Sequence, residues 1–105
     1  MSVLVDLSIF PVGQGEHLST YVAPVVQLIS DSGHAHQLTA MGTLVETETI
    51  AEALQLIERA QNLLTDAGCE RIYATVKLDI RSGPVGRLKQ KTASIEAKLS
   101  GLTAG

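Results

Sequence analysis

Lysine and arginine are missing from the first half of the chain. The 105 residues include eight of these basic residues, and the first of them is Arg59. The formal net charge is −3, and the chain has no tryptophan and one phenylalanine. Nucleic-acid binding needs a basic surface for the phosphates, and single strands also need aromatic rings on which bases stack. The composition therefore argues against nucleic acid as a partner.

Cysteine and long apolar runs are also scarce. Cys69 is the only cysteine, so no disulfide can form within the chain. The first residues lack the basic start of a secretory signal, and no apolar run approaches the roughly 20 residues of a membrane-spanning helix. We expect a cytoplasmic protein that makes no use of a membrane. The length predicts one domain, residues 1–105, large enough to bury a core without disulfide or metal.

Alternating hydrophobicity predicts four strands. In residues 3–10 every odd position is aliphatic, and the pattern ends at Pro11. Residues 72–81 alternate apolar with polar side chains. Residues 34–46 are interpreted as two short strands that meet in a turn near Gly42. If helices cover one face of the resulting sheet, the apolar positions of the first and last strands lie beneath them, and the opposite face is partly polar. We predict that two such open faces stack in a homo-oligomer.

Helical spacing predicts two main helices between these strands. The first is capped by Ser19 or Thr20, and the later start is favoured because it puts Pro24 among the first four residues, where no amide hydrogen is needed. The second begins at Thr49, whose spacing to Glu52 is that of a capping box. Its expected apolar stripe consists of Ile50, Ala53, Leu54, Ile57 and Leu64.

The element order is that of an α+β, ferredoxin-like β-α-β-β-α-β domain with an additional C-terminal helix. That last helix is expected to open at Pro84, since proline suits the first helical position.

Catalytic motifs are absent from the sequence. It contains no phosphate-binding loop, no GxSxG, no HExxH and no CxxC, so we expect neither an enzyme nor a cofactor. His34 and His36 alternate and should project from one side of a strand, but two ligands do not make a metal site. We predict no metal ion, although a metal-dependent small enzyme that uses these histidines stays open as an alternative.

The segment 41–46, MGTLVE, joins a turn glycine with a hydroxyl and a carboxylate. Thr43 and Glu46 have opposite parity in the predicted strand. Their side chains therefore converge only if the strand ends or bulges between them. Chemistry alone favours a hairpin followed by an acidic residue that leads into the next helix.

Several segments together resemble the small thiamine-binding protein family. The segment 41–46 is followed by a helix, a glycine, an arginine and a strand of KxDxR pattern, and this set is specific although each piece is weak. The matching positions are Pro11, 19–23, 32–33, 41–46, Gly68, Arg71 and 77–81. The resemblance implies a ferredoxin-like fold and sheet-to-sheet homodimers that pair into homotetramers. It also implies binding of thiamine or its hydroxymethylpyrimidine moiety, without catalysis.

The resemblance also implies a set of site residues. Thr43 and Glu46 are the expected polar anchors, because a carboxylate accepts from the exocyclic amine of an aminopyrimidine and a hydroxyl serves a ring nitrogen. The expected pocket walls are Ser19, Tyr21, His36 and Met41. An acidic first half favours the cationic thiazolium ring of thiamine.

Phosphorylated thiamine needs a cation in the same cavity. Arg71, Lys77 or Arg81 could supply one only if they face that cavity. Besides the metal-dependent enzyme, an oligomeric scaffold without a metabolite ligand stays open as a further alternative.

Overall fold

The computed structural model describes residues 1–89, 95 and 97–99, and its strands and helices alternate along the chain. Their bounds are β1 (Ser2–Pro11), α1 (Ser19–Asp31), β2 (Ala35–Thr39), β3 (Gly42–Thr47), α2 (Ile50–Asp66) and β4 (Ile72–Arg81). This order confirms the predicted α+β, ferredoxin-like arrangement. The C-terminal helix begins at Arg87, and the predicted start at Pro84 was wrong, because Gly86 has a φ of 118°, outside the helical region. Residues 87–89, 95 and 97–99 are helical, and the other residues expected in this helix beyond 89 lie outside the described ones. None of the helices in the described ranges combines the length and the apolar character that crossing a membrane requires.

Four strands form one antiparallel sheet in the order β2-β3-β1-β4. The central strand β1 places Val3, Val5, Leu7 and Ile9 on one face, where each is at least nine-tenths buried. Both helices pack on that face, and each fully buried aliphatic side chain there contributes about 1.5–3 kcal/mol. The buried helix residues are Val25 and Ile29 from α1, and Ala53, Leu56, Ala60 and Leu64 from α2.

The start of α1 differs from the prediction. Leu18 is the N-cap, without a side-chain hydrogen bond, and the helix begins at Ser19. Pro24 is therefore the sixth residue of the helix. It lies beyond the first turn, where backbone amides have no acceptor within the helix, so the predicted late start was wrong. The sequence favoured a polar cap, whereas backbone bonds close the first turn: Tyr21 and Val22 both donate to the Leu18 carbonyl, at 3.0 and 2.9 Å.

Helix α2 begins as predicted at Thr49, whose hydroxyl accepts a hydrogen bond from the Glu52 amide at 3.1 Å. Its expected apolar stripe needs one correction. Leu54 is 52% exposed, and Leu56 is buried in the core instead.

Strand β4 also departs from the expectation. Its even-numbered residues share the helix-covered face, since Ile80 lies opposite Val3 and Leu78 opposite Val5. Yet Val76, Leu78 and Ile80 are between 37% and 53% exposed. The periodicity gave the face correctly, but β4 is an edge strand that the two helices scarcely reach, so these side chains are not covered by α1 and α2.

The β2–β3 hairpin turns tightly against β1 at Gly42. A Cβ atom at this position would lie 2.9 Å from the Leu7 carbonyl oxygen and 3.1 Å from an Asp6 carboxylate oxygen. Only glycine allows β1 to approach so closely. The turn itself is fixed by Thr39, whose hydroxyl donates to the Gly42 carbonyl at 2.8 Å and accepts from the Met41 amide at 3.2 Å.

Candidate functional site

A cavity of about 260 Å³ lies between α1 and the β2–β3 hairpin. Its walls are mainly aliphatic, and its polar atoms come from the hairpin and the end of β1. The residues around it are Leu7, Ser8, Ile9, Phe10, Leu18, Val22, Val25, Val26, Ile29, Leu38, Thr39, Ala40, Met41, Gly42 and Thr43. An apolar cavity with a few placed polar groups is the common form of a small-molecule site.

A second, more open cavity of about 540 Å³ adjoins the first. Val22, Val26 and Leu38 line both, so the two cavities are parts of one depression, here called the hairpin cleft. Ser19 and His36 lie at its outer part. The combined volume of the two parts falls within the range typical of ligand pockets, about 300–1,000 Å³.

Thr43 supplies a polar group to the inner part of the cleft. The residue is 6% exposed, and its hydroxyl makes no hydrogen bond among the described residues. None of the described buried side-chain oxygens or nitrogens is both sealed from solvent and without a partner, so this oxygen keeps some solvent contact, and Thr43 is one of the residues that line the cavity. The hydroxyl can therefore donate to or accept from a ligand. The neighbouring Thr39 hydroxyl is already engaged in the hairpin turn.

His36 offers an acceptor at the outer part of the cleft. Its Nδ1 lies 3.0 Å from the His34 carbonyl oxygen. A carbonyl oxygen can only accept, so the hydrogen-bond geometry assigns the proton to Nδ1. In the neutral ring Nε2 then carries a lone pair, which can accept a hydrogen bond from an amine.

Glu46 lies on the other face of the sheet, remote from these cavity walls. Strand β3 pairs with β1 without a bulge, from Val3 opposite Thr47 to Leu7 opposite Thr43, so Thr43 and Glu46 face opposite sides of the sheet. The two predicted anchors are not brought together in one protomer. The bulge that their convergence required is absent from β3.

The carboxylate of Glu46 is occupied by the C-terminal segment. The backbone amides of Gly86 and Arg87 donate to Oε2 at 2.9 and 3.2 Å, the amide of Leu88 donates to Oε1 at 3.3 Å, and the Ser2 hydroxyl donates to Oε2. Glu46 thus holds the first residues of the helical segment that begins at Arg87, where a negative charge also complements the helix dipole.

Arg87 completes this buried cluster. Its Nε donates to the Ser2 hydroxyl and its Nη2 donates to the Ser2 carbonyl, both at 2.9 Å. Its Nη1 lies 3.2 Å from an Asp79 carboxylate oxygen. We call Ser2, Glu46, Asp79 and residues 86–88 the Glu46 cluster.

Burial raises the pKa of Glu46, but the Ser2 hydroxyl and the amides of residues 86–88 outweigh that effect. The pKa is lowered below its ordinary value of 4.5. The carboxylate is therefore charged at neutral pH, with four internal donors, and its role as a ligand anchor stays a prediction.

Of the other expected site residues, three line the hairpin cleft and one does not. Met41 lines the inner part of the cleft beside Thr43, and Ser19 and His36 line the outer part. Tyr21 packs against the core, and its hydroxyl donates to the Gln14 side chain at 3.2 Å. Four of the six predicted site residues therefore meet in the hairpin cleft.

The aliphatic residues of the cleft and the partners of Glu46 were not predicted as site residues. Val22 and Val26 were visible only as core residues of a helix. Ser2 and Arg87 carried no signal, because 85 positions separate them along the chain.

His34 does not join His36 in a metal site within the described ranges. Its Nε2 lies 3.7 Å from a carboxylate oxygen of Glu52. No group of three or more potential ligands gathers among the described residues.

Comparison with known proteins decides the family. The model of the family described as thiamine-binding protein matches residues 5–96. The chain belongs to this family. A UPF0045 protein of Mycobacterium bovis is 36% identical to this family member over 99 residues, which cover 94% of the chain and 96% of the relative. A UPF0045 protein of Methanothermobacter thermautotrophicus is 30% identical over 98 residues, with 92% and 99% covered.

Solved structures of similar chains share the fold of this thiamine-binding family member. A Methanocaldococcus jannaschii protein superposes with a TM-score of 0.75 at 26% identity, covering 90% of this chain and 96% of its own. A Thermotoga maritima protein also gives a TM-score of 0.75, at 18% identity, with 90% and 99% covered.

Proposed function

We propose that the protein binds thiamine or its hydroxymethylpyrimidine moiety in the hairpin cleft, without catalysis. The observation that carries the proposal is an aliphatic cavity with the Thr43 hydroxyl at its wall, in a chain of the thiamine-binding protein family. The Thermotoga maritima protein of the same fold is named as a candidate for thiamine biosynthesis or salvage. Salvage, transport or sensing of the vitamin are the roles that such binding would serve, in the cytoplasm.

The aminopyrimidine ring matches the polar groups of the cleft. The ring is flat and largely apolar, so the aliphatic walls can cover both of its faces. Its ring nitrogens accept a hydrogen bond, which the Thr43 hydroxyl can donate. Its exocyclic amine donates, and His36 Nε2 is the acceptor that we assign to it. Glu46 is not needed in this arrangement, because its carboxylate is used inside the chain.

Replacing Thr43 by valine tests the anchor. The two side chains have the same shape, so the cavity is kept while the hydroxyl is lost. We expect the affinity for thiamine and for hydroxymethylpyrimidine to fall about fivefold to tenfold, the effect of losing one neutral hydrogen bond. Isothermal titration calorimetry measures both.

The matched control is Thr75→Val on β4, an exposed position outside the cleft. It should bind as the unchanged protein does. If wild type binds neither compound, the scaffold alternative is favoured. If the Thr43 variant binds both unchanged, the hydroxyl is not the anchor.

The open face of the sheet supports the proposed homo-oligomer. It carries Leu4 and Leu44, which are partly exposed, beside Asp6 and Lys77, which lie opposite each other on neighbouring strands. Leu88 lines a shallow cavity on this open face together with Leu4 and Leu44. We propose that two such faces stack in a homodimer and that dimers pair into a homotetramer. Light scattering that gives a single 11.1 kDa species at micromolar concentration would contradict this.

A further inference from the structure

Strand β4 is the longer of the two edges of the sheet. The strand order places β2 at one edge and β4 at the other. Strand β2 has five residues, whereas β4 has ten, and every residue from 73 to 81 is exposed. The outer side of an edge strand presents backbone N–H and C=O groups that pair readily with a further strand.

The features that usually prevent such pairing are missing from the helix side of β4. Natural edge strands are kept apart by short length, prolines, bulges or inward-pointing charges. The segment 72–81 contains no proline, and it pairs with β1 continuously over all ten residues. Val76, Leu78 and Ile80 form an exposed apolar row on the face that the helices scarcely reach. The strand therefore combines a free edge with uncovered apolar side chains.

Two copies of one strand can pair antiparallel about a twofold axis. Both copies then use the same residues, and the contact closes on itself without adding further copies. The residue at the axis lies opposite its own copy, and residues at equal distances on either side lie opposite each other. One residue at the axis therefore defines the whole register.

Charge argues against two of the central registers. An axis at Lys77 would place two ammonium groups opposite each other, and like charges in that position are destabilising. An axis at Val76 would place Lys77 opposite Thr75 of the partner subunit, so neither sign of charge would find its opposite.

An axis at Leu78 matches both charge and hydrophobicity. Lys77 then lies opposite Asp79 of the partner subunit, and the symmetry repeats this pair on the other side of the axis. Val76 lies opposite Ile80 of the partner subunit, and Leu78 lies opposite its own copy. Opposite charges and apolar pairs in directly opposed positions both stabilise antiparallel strands.

Asp79 is available for this pair although it already contacts Arg87. One carboxylate oxygen lies 3.2 Å from Nη1 of Arg87, and the Asp79 side chain is 59% exposed. A carboxylate has about four acceptor sites on its two oxygens, so it can also accept from a lysine. Lys77 lies opposite Asp6 on β1. In the paired sheet its ammonium group would thus stand between two carboxylates.

We infer that β4 pairs with β4 of a second copy, antiparallel about Leu78, so that two four-stranded sheets join into one of eight strands. This contact uses the edge of the sheet and the apolar row on its helix side. It is a second surface besides the stacking of open faces, and it lies at the edge opposite to the hairpin cleft. The inference goes beyond the proposed function, because the contact needs no ligand.

Cysteine trapping tests the pairing and its register. Opposite residues of antiparallel strands have Cα atoms about 4.5–5.5 Å apart, within the range of about 4.4–6.8 Å that a disulfide spans. The full chain carrying Leu78→Cys is oxidised mildly at micromolar concentration and analysed on a non-reducing gel. The wild type provides the background, since its only cysteine, Cys69, is buried. We expect at least about tenfold more covalent dimer from the variant than from the wild type.

Ile80→Cys is the matched control, because Ile80 is exposed on the same face of β4. In the inferred register it lies opposite Val76 of the partner subunit, four residues or about 13 Å from its own copy. It should therefore stay at background when oxidised alone. A mixture of Ile80→Cys with Val76→Cys should cross-link once the subunits have exchanged.

The outcomes separate this contact from the other proposals. If Leu78→Cys stays at background while light scattering shows an oligomer, the inference fails and the stacking of open faces stands alone. Ile80→Cys that cross-links by itself, in place of Leu78→Cys, would also overturn the inferred pairing. A single 11.1 kDa species would contradict both contacts. A wild type that cross-links as inferred but binds no thiamine would contradict only the proposed function.

Discussion

Replacing Glu46 by glutamine is expected to lower the free energy of unfolding by about 3 kcal/mol. The carboxylate accepts from the Ser2 hydroxyl and from the amides of residues 86–88. A glutamine keeps one oxygen acceptor but turns an NH₂ group toward these donors, so buried N–H groups lose their partner. Urea denaturation measures the change, and amide hydrogen exchange should show faster exchange at residues 86–88.

The effect should also depend on pH in a defined direction. Because the pKa of Glu46 is lowered in the folded state, its charged form contributes stability above pH 4.5, and this contribution is lost as the pH falls through the folded-state pKa. The stabilities of the wild type and Glu46→Gln should therefore converge in acid. Typical domains have 5–15 kcal/mol of stability, so the variant should remain folded at neutral pH.

Glu48→Gln is the matched control for this prediction. Glu48 is exposed two residues further along the chain, and its change should stay within about 0.5 kcal/mol. A Glu46→Gln protein of unchanged stability that no longer binds thiamine would contradict the structural role. It would restore the carboxylate as the ligand anchor that the family resemblance implied.

Replacing Val22 by phenylalanine is expected to weaken thiamine binding at least about 30-fold, or 2 kcal/mol. Val22 lines both parts of the hairpin cleft and is only partly buried, so the larger ring can extend into the depression without entering the packed core. A ligand would then have to displace that ring. Calorimetric titration gives the affinity, and thermal unfolding shows whether the variant is intact.

Val76→Phe is the corresponding control on β4. Val76 is 37% exposed on an edge strand outside the cleft, so the same substitution should leave the affinity unchanged. If Val22→Phe is folded and binds thiamine as tightly as the wild type, the ligand does not occupy the hairpin cleft.

The elements of the fold were predictable because their signals are local. Alternation in β1 and β4, the Thr49 cap of α2 and the turn before Gly42 each depend on a few neighbouring residues. The start of α1 was misplaced because Leu18 provides no side-chain cap. Backbone hydrogen bonds close the first turn instead, and these do not depend on the residue types in the sequence. The covering of β4 was misjudged because periodicity shows which face a residue takes, but not how far a helix reaches.

The site was harder to predict because it depends on distant contacts. Parity alone indicated that Thr43 and Glu46 diverge unless a bulge intervenes, and the structure keeps them apart. The partners of Glu46 lie at least 40 positions away along the chain, so no local pattern could show that its carboxylate is engaged. The cleft arises where α1 packs beside the β2–β3 hairpin, which only the assembled fold defines.

One measurement tests the central claim most directly: a thiamine titration of the ¹⁵N-labelled wild-type chain, followed by two-dimensional NMR of the backbone amides. Binding in the hairpin cleft predicts the largest chemical-shift changes at Val22, Val26, Leu38 and Thr43, while residues 86–88 stay near their starting positions. Shifts confined to residues 86–88 and the Glu46 cluster, or none at saturating thiamine, would contradict the account.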